Sequence, residues 1–164
     1  MQEKDIGRLI DKTVKDGGVL ALLYFDLHGT PKDALQKLGV GFVQKVLREQ
    51  GVLYASGEID EPMEREGIFS TTVEIKVLTK DLLSLARLCA QHSPFSVEVL
   101  RPEEFALSVP ELHELLMFIG ATTHDYRKYI MEKVASLEEK ERYKKSLEQR
   151  MRMGEKLMEK KGAG

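Results

Sequence analysis

Asp26 and His28 stand two residues apart in the stretch Asp26-Leu27-His28-Gly29-Thr30-Pro31-Lys32-Asp33, after an apolar run and before a helical pattern. In an extended chain, alternation puts both side chains on one side. If a helix starts at Thr30-Pro31, with Thr as N-cap and Pro in the first helical position, its free backbone N–H groups lie close by and can receive an anion. Asp26, His28, Gly29 and Thr30 are therefore the candidate ligand-binding residues, and a small anionic molecule is the ligand they imply. The plainer reading of the same residues is a glycine turn, a Thr cap and a solvated His.

Metal binding is the next chemistry to weigh, through Asp26 and His28 or through Cys89 and His92, which lie three apart on one helical segment. Structural zinc takes four ligands, and no CxxC or HxxxH pair occurs; His113 and His124 would complete a site only if the fold brought them near. A buried, inert Cys89 and a surface His92 are expected, with no metal and no cofactor. For nucleophilic catalysis there is no G-x-S-x-G turn, and Cys89 has no positive neighbours in its helix pattern. Asp60-Glu61 and Glu64 with Glu66 read as an acidic solvated loop. No Walker A, dinucleotide-binding glycine pattern, EF-hand or kinase motif is present. The reading leans away from an enzyme, and the catalytic alternative is a metal-dependent enzyme using Asp26 and His28.

The elements that must position these residues follow from apolar spacing. Ile6, Leu9, Ile10 and Val14 make a short amphipathic helix stopped by Gly17-Gly18. Val19 to Phe25 is apolar at every position, as a central strand buried on both faces requires. Leu35, Leu38, Phe42, Val43, Val46 and Leu47 form the stripe of a helix ending at Gly51. Val52 to Ile59 and Ile68 to Leu78 pair as a hairpin around Asp60–Gly67, and Val73, Ile75 and Val77 give the second of them one apolar face. Thr79 can cap a helix carrying Leu82, Leu85, Ala86 and Cys89, and Phe95, Val97 and Val99 alternate along a fourth strand. The order is β-α-β-β-α-β.

That order over residues 18–101 resembles the ferredoxin-like split βαβ arrangement, which hosts metabolic sensors of the ACT type, RNA-binding modules, metal carriers and small enzymes. The resemblance implies an α+β fold, with two helices packed on one face of an antiparallel sheet. In ACT-type sensors it also implies ligands near the first strand-to-helix junction at a subunit interface. The ACT turn runs acidic residue, proline, glycine, whereas Gly29-Thr30-Pro31 has these elements in another order. The second face of the sheet needs a cover, and the amphipathic stretch Leu112, Leu115, Leu116 and Ile119 is expected to supply part of it.

Beyond Gly120 the chain changes character. Residues 125–164 carry twelve Lys or Arg and eight Asp or Glu, so the net charge of −2 hides an acidic body, 1–124, and a basic tail, 125–164. Thr122 or Thr123 is expected to cap one long helix from Asp125 to Lys160, docked at first through Tyr126, Ile130, Val134 and Leu137, with Lys160–Gly164 disordered. The single Cys, the absence of a membrane-length apolar run and the polar start Met1-Gln2-Glu3-Lys4-Asp5 suit a cytoplasmic protein. Absent Asn and Trp and abundant Glu and Lys lean thermophilic. Glutamates on the polar strand faces, Glu74 and Glu98, repel phosphate, so nucleic acid is not the expected partner. The functional expectation is a non-enzymatic regulatory or scaffolding homo-oligomer, dimeric by default, assembled through the C-terminal helix. An RNA- or ribonucleoprotein-associated factor using the basic tail is the remaining alternative.

Overall fold

The computed structural model describes residues 3–162, without the side chains of 3, 65, 154 and 156–162. In chain order these form α1 (Glu3–Lys15), β1 (Val19–Gly29), α2 (Lys32–Leu47), β2 (Val52–Ile59), β3 (Met63–Arg65), β4 (Ile68–Thr79), α3 (Leu82–His92), β5 (Ser96–Arg101), α4 (Val109–Val134) and α5 (Leu137–Gly162). The long strands make an antiparallel sheet in the order β2-β4-β1-β5, and short β3 adds to β4. This is the ferredoxin-like α+β arrangement, with the all-apolar β1 in a central position. Two compact units divide the chain, Met1–Leu115 and Leu116–Gly164, and the composition boundary at His124 falls inside α4.

In the first unit, Val19, Ala21, Leu23 and Phe25 of β1 meet Val73, Ile75 and Val77 of β4, Val46 of α2, and Leu85 and Leu88 of α3 in one buried cluster. Each such side chain contributes about 1.5–3 kcal/mol by leaving water. Helix α2 approaches β2 closely because Gly57 leaves room for Val43, and Gly39 faces Ile59. Leu20 and Leu78 alternate to the second face and are also buried. Helix α1 packs on β1 and β4, and Gly18 at its exit has Thr13 and the Thr79 carbonyl where a Cβ would stand. Arg101 anchors α1 through Asp11 at 2.7 Å. The segment 110–119 forms part of the first half of α4, a helix with no buried residue. Helix α1 reaches the sheet through the short Gly17-Gly18 connection to β1.

Three starts differ from expectation. Asp81 rather than Thr79 caps α3, accepting from the Ser84 N–H at 2.7 Å, while the Thr79 hydroxyl donates to the Asp81 carbonyl from the end of β4. The acidic loop contains β3, joined to β4 by Glu66-Gly67, both at positive φ as a two-residue hairpin turn requires. The long final helix is two helices. Ser108 and Glu111 form a reciprocal capping box, with the Ser108 N–H donating to the Glu111 carboxylate at 2.7 Å, and Ser136 and Glu139 repeat it at 2.8 Å. Gly120 is simply an interior residue of α4, and the Thr123 hydroxyl donates to the Ile119 carbonyl at 2.8 Å instead of capping. Helix α5 includes Lys160, Lys161 and Gly162; Ala163 and Gly164 lie outside the described residues. No helix among the described residues is long and apolar enough to cross a membrane.

Candidate functional site

Asp26 and His28 do share a side, but on a strand rather than in a loop. β1 continues to Gly29, with Asp26 opposite Thr72, His28 opposite Ser70 and Gly29 opposite Phe69 of β4. Both side chains are exposed, whereas Leu27 between them packs on the core below α2 and α3. They therefore face away from the helix layer. Thr30 lies exposed in a bend, and Pro31, not Thr30, is the N-cap of α2, with no side-chain bond to the free N–H groups. The four residues line one end of an exposed strand.

The second pair, Cys89 and His92, is structural in its contacts. The His92 ring is almost wholly buried, stacked edge-on to Phe42 at 5.5 Å, with Nε2 2.9 Å from Glu49 Oε1. This corrects the expectation of a surface His92: the ring ties the end of α3 to the turn after α2. Burial raises the Cys89 thiol above its ordinary 9.0, which keeps it protonated and a poor nucleophile at neutral pH. Among the described residues no group of three or more His, Cys, Asp and Glu is placed to hold a metal ion.

On the open face of the sheet, Tyr24 stands across from Glu74, with Glu98 on the neighbouring strand. Desolvation, then the Glu74 and Glu98 carboxylates, raise its phenol above 10.0. Two carboxylates thus flank the phenol on that face, and the Phe95 ring lies 6.2 Å from it. At the sheet edge, Val97 and Val99 of β5 point to the helix layer yet remain substantially exposed, because neither α2 nor α3 covers this strand. One cavity of about 320 Å³ in this unit is lined by Leu82, Phe105 and Leu115 and rimmed by Asp81, Glu104, Glu111 and Glu114. Two of those carboxylates, Asp81 and Glu111, already serve as helix caps.

The second unit inverts the usual use of apolar residues. Leu112, Leu116, Ile119, Tyr126 and Ile130 recur along α4 at the three-and-four spacing of a heptad seam, with Thr123 completing the register. All five apolar side chains are exposed, at 44–59% of their full area; Val134 at the end of α4 and Leu137 at the start of α5 are exposed at 79% and 84%. Tyr126, Ile130, Val134 and Leu137 thus each keep more than half of their area in water. The adjacent column of α4, Gly120, His124, Arg127 and Met131, instead lines a cavity of about 590 Å³ with Tyr143, Ser146, Leu147 and Arg150 of α5. Thr123 and Ile130 of the seam reach the edge of the same cavity.

A family model matches residues 20–154, from the second residue of β1 to deep within α5. The chain belongs to the MJ0538 family. The match spans both compact units, so in the MJ0538 family the helical pair is part of the shared sequence and not an appendage to the sheet. No curated protein and no solved structure gives a significant match. Two features of this MJ0538-family chain have signals that sequence reading passed over: the S-x-x-E boxes at Ser108 and Ser136, and the heptad spacing from Leu112. The cavity between α4 and α5 has none, because its residues come from two helices.

Proposed function

We propose that this MJ0538-family chain is a non-enzymatic scaffolding or regulatory protein that works as a homodimer, with a second copy covering the exposed α4 seam. The observation that carries this reading is the unburied heptad pattern of Leu112, Leu116, Ile119, Tyr126 and Ile130. A 3.5-residue repeat matches another helix of the same repeat, and from Leu112 to Ile130 the seam is about 27 Å long. Its apolar side chains keep about half of their area in water, and a standard interface adds surrounding residues to reach roughly 800 Å² per partner. Leaving that strip in water is unfavourable at about 25 cal/mol per Å², and self-association removes it.

Light scattering on the full chain tests this. A dimer is expected, and the Leu116→Glu, Ile119→Glu double variant is expected to be monomeric with the sheet's melting transition retained. A monomeric wild type at high micromolar concentration would sink the reading. The Asp26, His28, Gly29 and Thr30 strand end remains our proposal for a contact with a small ligand, supported by the exposure of Asp26 and His28 on one face. No metal-dependent step is assigned to Asp26 and His28, and no RNA contact to the tail.

A further inference from the structure

Two surfaces, one in each compact unit, carry opposite charge. On the open face of the sheet, Glu58 of β2 stands directly opposite Glu74 of β4, Tyr24 of β1 follows in the same row, and Glu98 of β5 lies opposite Leu22, two residues along β1. Like charges directly opposite each other on neighbouring strands weaken a sheet. Asp26 shares this face, and exposed Lys76 offsets one charge, without an ion pair to any of these carboxylates among the described residues. A face selected for folding alone would pair the two signs across the strands, and this one leaves a carboxylate facing a carboxylate.

Helix α5 sorts its charges in the opposite sense. Arg142, Lys145, Gln149 and Arg152 recur at three- and four-residue spacing and form one stripe, while Glu141, Glu148 and Glu155 follow an adjoining one. Tyr143, Leu147 and Arg150 lie on the other side of the helix, lining the cavity with α4. The basic stripe therefore faces outward, and its four residues are exposed. Arg142 meets Glu138 one turn earlier at 3.8 Å, in a pair largely in water, and such a pair is readily exchanged for another.

The two rows also agree in spacing. At 1.5 Å rise per residue, Lys145 and Arg152 stand about 4.5 and 15 Å along α5 from Arg142. With strands about 4.8 Å apart and residues about 3.4 Å apart along them, Glu74 and Glu98 stand about 4 and 16 Å from Glu58 on a line crossing the strands obliquely.

We infer that the outward stripe of α5, Arg142, Lys145 and Arg152, docks on the open sheet face of a second copy of this chain, against Glu58, Glu74 and Glu98. Two such sheets meeting face to face would oppose carboxylate to carboxylate, and nucleic-acid phosphates are repelled in the same way, so the face is complementary to a basic helix. The Tyr24 and Phe95 rings add aromatic surface for a guanidinium beside the carboxylates. The inference rests on the homodimer reading in needing a second copy, and it uses no residue of the α4 seam.

Carbodiimide coupling of the full chain, on an equal mixture of heavy-nitrogen-labelled and unlabelled copies read by mass spectrometry, tests it. The reagent joins a carboxylate to an amine only where the two touch, and the isotope pattern tells one copy from two. Lys145 joined to Glu58 or Glu74 between copies is expected, with the yield falling about tenfold at about 1 M salt, where charges are screened beyond about 3 Å. The Arg142→Glu, Arg152→Glu variant should lose the coupling to a similar extent yet remain a dimer by light scattering, since the α4 seam is untouched. Lys145→Glu and Glu74→Lys should each abolish the coupling alone, and mixing the two variants should restore it between the exchanged positions. Coupling at Lys145 within one copy only, no coupling there, or an unchanged yield in the arginine variant overturns the inference, while a wild-type dimer leaves the α4 seam standing. A short single-stranded RNA that binds through Arg142 and Arg152, with no coupling at Lys145, overturns it as well. A monomeric wild type removes the second copy and with it both readings.

Discussion

The sheet unit and the helical unit use the same kinds of residue to opposite ends. In the first, Leu23, Ile75, Val46 and Leu85 meet in one cluster from four elements and are essentially inaccessible to water. In the second, Leu116, Ile119 and Ile130 lie in a regular seam on one helix and keep half their surface in water, while the cavity-facing column carries His124 and Arg127. Closure explains the difference. A five-stranded sheet with α2 and α3 on one side and α1 against β1 and β4 completes a core within one chain. A pair of helices presents at least one more face than it can cover. Apolar spacing in the second unit is thus information about an interaction, and in the first it is information about folding.

The largest test of this contrast compares two leucines. Leu23→Ala in the sheet is expected to cost about 3 kcal/mol of unfolding free energy, within the usual range for a buried leucine. Leu116→Ala should cost well under about 0.5 kcal/mol in the monomer, as surface changes do, and should shift the association equilibrium instead. Denaturant titration at low and high protein concentration separates the two effects. Equal, concentration-independent losses would erase the distinction between the units.

A smaller effect is expected at the helix starts. Ser136→Ala removes one half of the capping box at α5 and should cost about 1 kcal/mol locally, read as faster amide exchange over the first turns of α5 with the sheet amides unchanged. Simultaneous loss of protection in β1 and β4 would mean that the units unfold as one.

The weakest lever is acid. Hydrogen bonds from the Ser108 hydroxyl and N–H lower the Glu111 carboxyl below 4.5, and the Ser136 N–H and hydroxyl do the same for Glu139. For Asp81, burial pushes the carboxyl up, but the Ser84 hydroxyl and N–H and the Lys80 ammonium outweigh it and bring it below 3.8. A carboxyl with a depressed folded value binds fewer protons in the native state. Its stabilisation is therefore present above the unfolded value and is lost as pH falls through the folded one. Helix content followed by circular dichroism should hold from neutral pH down to about 4.5 and fall below it. The Glu111→Gln, Glu139→Gln variant should show a shallower fall, and an identical acid profile would remove these caps from the account.

Much of the sheet unit was legible because its signals are local. Seven consecutive apolar residues from Val19, the alternation of Val73, Ile75 and Val77, and Gly51 as a stop each mark an element by themselves. The errors arose where two local rules competed. At Thr30-Pro31 a good N-cap residue stands before proline, yet pairing with β4 carries β1 through Gly29 and moves the cap to Pro31. At Gly120 a residue of low helix propensity suggested a break, but a single interior glycine costs only about 1 kcal/mol, and the Ser108 and Ser136 boxes set the ends. His92 read as a surface residue because nothing in its own helix shows that Phe42 and Glu49, more than forty positions away, close over it.

The amino-acid sequence by itself determined the strand and helix order, the central place of β1 and the heptad seam of α4, because each depends on spacing along one segment. Only the tertiary structure decided that Asp26 and His28 face away from the helix layer, that α1 packs against β1 and β4, and that Arg127, Arg150 and Tyr143 line one cavity. Those facts depend on which side of each element meets which neighbour, and spacing within a segment sets the sides without naming the neighbour.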